Sequence, residues 1–136
     1  MTLLAFEGFQ KILLAIINKY VNICFMKWEI LYYNEALQEE ISTLPAGIQA
    51  RYIHLSERML IYGPNLGMPH TKPLKNSLFE LRMKSKEGIG RIFYCTLVNK
   101  KIVMLYSFIK KTKKIPSKDL KIAISRMNKV KANANA

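Results

Sequence analysis

SLFELRMKSKEGIGRIFYCTLVNKKIVMLYSFI, residues 77–109, decides the fold. Within 77–84 the side chains alternate. Phe79, Leu81 and Met83 take one face, and Leu78, Glu80, Arg82 and Lys84 take the other, which is the period of a β-strand with two different faces. Gly88-Ile89-Gly90 is expected to turn the chain, and 91–98 to form the next strand. Asn99-Lys100-Lys101 is expected to turn it again before a third strand over 102–109. Strands joined by such short connections form an antiparallel meander.

Upstream of the meander, residues 63–76 (GPNLGMPHTKPLKN) hold three prolines and two glycines and read as an ordered loop without regular structure. Two helices precede it. Ile48, Tyr52, Leu55, Met59 and Tyr62 recur at steps of four and three between Pro45, which can start a helix, and Gly63-Pro64, which can end one. Before Pro45, Asn34 can cap a helix that has Glu35 in its first turn and Leu37, Ile41 and Leu44 on one face. Residues 27–33 (KWEILYY) are aromatic and β-branched enough for a strand. Downstream, Ser117 caps a last helix with Asp119 in its first turn and Leu120, Ala123, Ile124, Met127 and Val130 as its apolar stripe. The expected class is α+β: an N-terminal strand, a helical hairpin, a three-stranded antiparallel meander and a C-terminal helix, in one domain over residues 26–131. Residues 132–136 (ANANA) have no apolar face and are expected to form a flexible tail.

A chain of 136 residues is long enough for one domain of this kind and short for two. With 50% hydrophobic and 23% charged residues, wholesale disorder is excluded. Cys24 and Cys95 are too few for a disulfide framework and stand in no metal-ligand spacing. With only His54 and His70 besides, an ordinary zinc site would need nearly every Cys and His, so neither a metal nor a cofactor is expected. A reducing cytosol fits best. The formal net charge is +13, and it is unevenly placed. Residues 26–83 balance six basic against six acidic side chains, whereas 84–136 set fourteen basic ones against Glu87 and Asp119. Ordinary surfaces mix signs, so a one-sided segment points to a polyanionic partner.

Residues 1–25 read separately. Leu3, Leu4, Phe6, Phe9, Ile12, Leu13, Ile16, Ile17, Tyr20 and Ile23 recur at helical spacing, but Glu7, Lys11 and Lys19 interrupt any transmembrane window. No cleavable leader pattern is present in them. One reading is an amphipathic helix for a partner or a membrane surface. The favoured one is an extra segment upstream of a natural start at Met26, since a strand pattern follows at once.

Several stretches together carry a family resemblance. They are Lys72-Pro73-Leu74-Lys75, then Leu78-Phe79-Glu80-Leu81-Arg82, then Gly90-Arg91-Ile92-Phe93-Tyr94. Val103 to Thr112 (VMLYSFIKKT) follows, with Ile115-Pro116 ahead of a helix that holds Ala123 and Arg126. As a set over about residues 26–130 they resemble the RelE/ParE superfamily of bacterial toxins, and within it the HigB branch with its phage-derived relatives. Many members carry a histidine where this chain has Tyr106. The resemblance implies a RelE-like fold and a type II toxin that cleaves messenger RNA in the ribosomal A site. It also implies silencing by a small antitoxin, usually encoded beside it, here expected to be a helix-turn-helix protein.

The residues allow that chemistry. RNA is cut when the ribose 2′-OH attacks the adjacent phosphate, and the transition state gathers negative charge that cations stabilise. Arg82, Arg91, Tyr106 and Lys110 are the candidate catalytic set, and Lys75, Lys84, Tyr94, Lys111, Lys113 and Lys114 the candidate RNA-binding set. Arginine forks match phosphate, tyrosines stack on bases or serve as weak acids where cations lower their pKa, and several lysines together give strong, salt-dependent binding. Glu80 is expected to be an ion-pair partner that orients an arginine, His54 to be structural, and His70 to lie outside the site. Bland readings stand beside these. Arg91 is equally well a surface arginine beside a turn, and Tyr94 and Tyr106 are more often core or rim aromatics than catalysts. Two other classes also remain open: a ParE-like poison of DNA gyrase acting by protein contact, and a non-catalytic nucleic-acid-binding module of a mobile element.

Overall fold

The computed structural model describes residues 12–16, 27–110 and 114–134. Its order is β1 (Glu29–Tyr32), α1 (Glu35–Ser42), α2 (Ala46–Tyr62), β2 (Thr71–Pro73), a 3-10 turn (Lys75–Ser77), β3 (Phe79–Ser85), β4 (Gly88–Leu97), β5 (Lys101–Lys110) and α3 (Ser117–Ala134). The five strands form one mixed sheet in the order β1-β5-β4-β3-β2. Among the described strands only β1 is parallel to its neighbour, with Glu29 facing Lys101 and Tyr32 facing Met104. The architecture is α+β, as the alternation and the three helical periods require. Residues 12–16 are helical and exposed, and the rest of the N-terminal segment lies outside the described residues. No described helix is long and apolar enough to cross a membrane.

The sheet divides the core in two. On one side α1 and α2 cover Leu81, Met83, Ile92, Tyr94, Ile102 and Met104 with Leu37, Ile41, Ile48, Leu55 and Met59. On the other, Ala123 and Met127 of α3 cover Leu78, Phe93, Cys95, Val103 and Leu105. Full burial of each large side chain is worth about 1.5–3 kcal/mol, so both faces of β3, β4 and β5 are committed over much of their length. Local signals set the helix ends. Asn34 Oδ1 accepts from Leu37 N at 2.8 Å. Pro45 offers α2 no side-chain cap, and Glu87 of the β3–β4 turn accepts from Gly47 N instead, at 2.9 Å. Gly63 closes α2 at φ 98°, a conformation that favours glycine, with its N–H on Met59 O.

Four local expectations are corrected. The Pro-rich loop holds β2, with Thr71 opposite Leu81 and Pro73 opposite Phe79. Three residues are too few to show alternation, and proline is tolerated because β2 is an edge. The chain turns at residues 86 and 87, and Gly88-Ile89-Gly90 already belongs to β4. Tyr62, the last member of the expected α2 stripe, is 71% exposed, whereas Ile48, Tyr52, Leu55 and Met59 are buried. Finally, α3 continues through Ala134, so the first residues of the expected tail are helical.

One irregularity re-aims a whole strand end. Phe93 faces Tyr106 and Tyr94 faces Met104, which leaves Leu105 as an extra residue in β5. Leu105 and Tyr106 therefore both lie toward α3, and Phe108 and Lys110, opposite Arg91 and Ile89, follow on that side.

At Gly90 a side chain of α2 packs directly on the sheet backbone. A Cβ there would stand 2.5 Å from Ile48 Cγ2 and 3.0 Å from Met83 Cε. Gly90→Ala is expected to lower stability by about 1–3 kcal/mol through overpacking, read as a lower urea midpoint at unchanged slope. An unchanged midpoint would show that α2 does not sit this close.

Candidate functional site

Strand pairing brings the arginines together. Arg82 of β3 and Arg91 of β4 are direct cross-strand partners, so both side chains leave the sheet on the α3 side, beyond the part that α3 covers. Like charges placed opposite one another repel. Glu80, two residues before Arg82 on the same face and fully buried, offsets that repulsion. Its Oε1 accepts from Arg82 Nε at 3.0 Å and from Arg91 Nη1. The trio keeps one net positive charge in a partly dry place, where fields are stronger than in water.

The two arginines differ in exposure. The Arg91 side chain is 5% exposed, and its burial lowers its pKa from the usual arginine value. The Arg82 side chain is 27% exposed and gives only Nε to the carboxylate, so among the described residues its two terminal nitrogens have no partner. Glu80 Oε2 and Arg91 Nε are buried without partners among the described residues. Arg91 and Glu80 thus form the support, and Arg82 the outward fork.

Lys110, opposite Ile89 at the end of β5, reaches the same patch through the bulge. Partial burial and then the charges of Arg91, Arg82 and Lys72 hold its pKa below the ordinary lysine range. Beside the arginines lies a hollow of about 360 Å³, into which Arg51, His70, Arg82, Lys84 and Arg91 converge. Pro69 and Ile89 supply apolar wall. Among the described residues no carboxylate lines the hollow, and there is no cluster of three or more potential metal ligands. Such a site suits a phosphate with an attached flat or apolar group.

Arg82, Arg91, Lys84 and Lys110 are therefore assembled at one end of the sheet, and other expected members are not. Tyr94 is fully buried on the opposite face, stacked on Phe79 at 5.3 Å, with its hydroxyl on Pro64 O. It cannot stack on a base, and the alternation of 91–98, which groups it with Ile92, carries that signal. Tyr106 donates to Asp119 Oδ1 at 2.6 Å, with the Arg126 guanidinium 5.7 Å from its ring centre. That bond to a carboxylate, with burial, pushes its pKa up to about 12, opposite to the lowering by cations expected of a weak acid. Lys75 is exposed in the 3-10 turn and does not line the hollow. Lys114 is exposed ahead of α3, and Lys111 and Lys113 lie outside the described residues. Sequence patterns miss Arg51 and His70. Arg51 is an exposed residue of α2, and His70, expected outside the site, lines the hollow. Neither carries a local signal, since folding alone brings them to β3.

Glu80→Ala strands two arginines, one of them buried, and is expected to cost about 3–5 kcal/mol in urea unfolding. A loss below about 1 kcal/mol would mark a mere surface pair. The Tyr106–Asp119 bond needs a protonated phenol, so its contribution is complete below about pH 10 and is lost as pH rises through about 12. Tyrosinate absorbance should show one phenol moving to lower pH in Asp119→Asn, with stability above about pH 10 falling less steeply than in the unsubstituted chain.

Among solved structures, a mutant of the E. coli toxin RelE in the free state is similar at 13% sequence identity and a TM-score of 0.47, over 74% of this chain and 98% of that one. No curated protein matches the chain. The family model described as phage-derived protein Gp49-like (DUF891) matches residues 39–128, from within α1 into the apolar stripe of α3 and across the whole cationic site. This chain is a member of the phage-derived Gp49-like family.

Proposed function

We propose that this chain is the toxin of a type II toxin–antitoxin system, of the HigB-like kind, and that it cuts messenger RNA on the ribosome without a metal. The carrying observation is Arg82, held at Nε by the buried Glu80 and free among the described residues at its two terminal nitrogens, beside Arg91, Lys84 and Lys110. The domain that does this is residues 26–131, and it acts in the cytosol, where ribosomes are.

In the reaction the 2′-oxygen loses its proton and bonds to the neighbouring phosphorus. The bond to the 5′-oxygen breaks and that oxygen takes up a proton, leaving a 2′,3′-cyclic phosphate and a 5′-hydroxyl. Arg82 donates to the phosphoryl oxygens as their charge grows, and Arg91 adds field from behind. Lys110 is the proton-moving group, because its lowered pKa makes its amine form more accessible than that of an ordinary lysine. Tyr106, neutral and engaged with Asp119, holds the start of α3 beside the site and is not the base. With no strong acid–base pair in the set, positioning of the message by the ribosome supplies much of the remaining acceleration.

The lysine-rich second half also fits an acidic antitoxin that masks it. Co-expression with the small protein encoded beside this gene is expected to restore growth.

Mapping of transcript 5′-ends after brief induction tests the reading. Breaks inside codons are expected only when ribosomes are present. Arg82→Ala should lose at least about a hundredfold of the cleavage, on the scale of removing one transition-state donor, with an unchanged circular dichroism spectrum. The cleavage rate should rise with pH through the Lys110 titration, and Lys110→Arg should flatten that limb. Intact transcripts with cleaved plasmid would point to a gyrase poison. Intact transcripts and plasmid would point to a binding module.

A further inference from the structure

The cationic hollow does not end at the sheet face. β2 covers the edge of β3 only as far as Leu81, after which Arg82 N donates to His70 O at 2.8 Å. From Met83 to Ser85 that edge has no strand partner among the described residues. α2 lies against the other face of the sheet and sends Arg51 to this open edge. A second hollow of about 260 Å³ begins there, bounded by Arg51 and Lys84 again and then by His54, Ser85 and the first turn of α2. Two side chains, Arg51 and Lys84, are thus shared walls. The path they join runs from Arg91 and Arg82 around the strand edge to His54.

Among the described residues no acidic side chain lines either hollow. The nearest carboxylate at the far end, Glu87, is already bound to Gly47 N, so it fills the α2 N-terminus itself. Arg51, His54 and Lys84 are all exposed, and no ion pair among the described residues engages them. Two cations, Arg51 and Lys84, followed by the His54 imidazole and bending over a strand edge suit a flexible polyanion better than a rigid duplex. The spacing of apolar wall (Pro69, Ile89) with cations suits a chain whose flat groups and charges alternate.

We infer that a single RNA strand leaves the reaction face over the open edge of β3, and that Arg51, Lys84, His70 and His54 hold the phosphates flanking the cleaved bond. This rests on the RNA-cutting reading and extends it: the chain grips the message itself beyond the reacting nucleotide, on a surface made by α2.

Fluorescence anisotropy of the full chain with a labelled oligouridylate tests it. Arg51→Glu, and Arg51→Glu combined with His54→Glu, are expected to weaken binding several-fold. They should also flatten the dependence of log affinity on log salt by about 0.7 for each phosphate that the protein no longer neutralises. Lys100→Glu makes the same charge change at the opposite end of the meander and serves as the control, with little loss expected. If Arg51→Glu loses no more affinity than Lys100→Glu while Arg82→Ala weakens binding, the strand does not take this path and the RNA-cutting reading stands. If the unsubstituted chain binds no oligouridylate, the track is overturned outright, and 5′-end mapping still decides the reading. If Arg51→Glu spares RNA but weakens antitoxin binding, the edge is a protein contact and the inference is wrong. Circular dichroism of each variant should match the unsubstituted chain, since both α2 positions are exposed.

Discussion

One extra residue in β5 governs what this molecule can present to a ligand. Strict alternation from Ile102 and Met104, which face α1 and α2, would send Tyr106, Phe108 and Lys110 into that same core. The bulge at Leu105 turns them over. Phe108 then comes to rest against Phe93 at 5.3 Å, Tyr106 reaches Asp119 of α3, and Lys110 joins the two arginines. A lysine directed at a hydrophobic core would lose its charge or unfold the strand. Here the same side chain adds to a cationic patch.

The second constraint is the sharing of one face between α3 and the site. Ala123 and Met127 seal the end of the sheet that holds Cys95, Val103 and Leu105, and the other end stays open. At the border, Arg126 donates to Leu105 O at 2.8 Å and lies 4.7 Å from the Tyr33 ring centre, while Tyr106 holds Asp119. These contacts fasten α3 across the bulge itself. The buried Glu80 does the corresponding work on the open side: without its charge, two guanidinium groups would stand on adjacent strands with nothing between them. The support is therefore ionic where the site must stay charged and apolar where it must stay dry.

Membership of the Gp49-like family and the cationic patch bear on different questions. The family match covers the elements that carry the site, whereas the chemistry lies in the side chains: an outward guanidinium fork, a cluster of cations and a lysine of lowered pKa. The same fold can serve unrelated activities, so the side chains have to carry the function.

Much of this is legible in the chain order. Alternation in 77–84, the apolar strand run 102–109, the helical steps of α1, α2 and α3, the Asn34 cap, and the placing of Arg82 and Arg91 on neighbouring strands with Glu80 as their partner are local patterns, and local patterns are properties of sequence. The bulge is not legible, because a single inserted residue leaves hydrophobicity along β5 unchanged and shows itself only in the pairing with β4. Nor are β2, too short for a period, Arg51, which lies far along the chain from β3, or His70, which meets β3 only once the loop is docked. Side-chain chemistry and near-neighbour spacing are enough to say which residues carry charge and which segments are strands or helices. Which of those charges share a site depends on register and on contacts between distant segments, and those exist only in the folded chain.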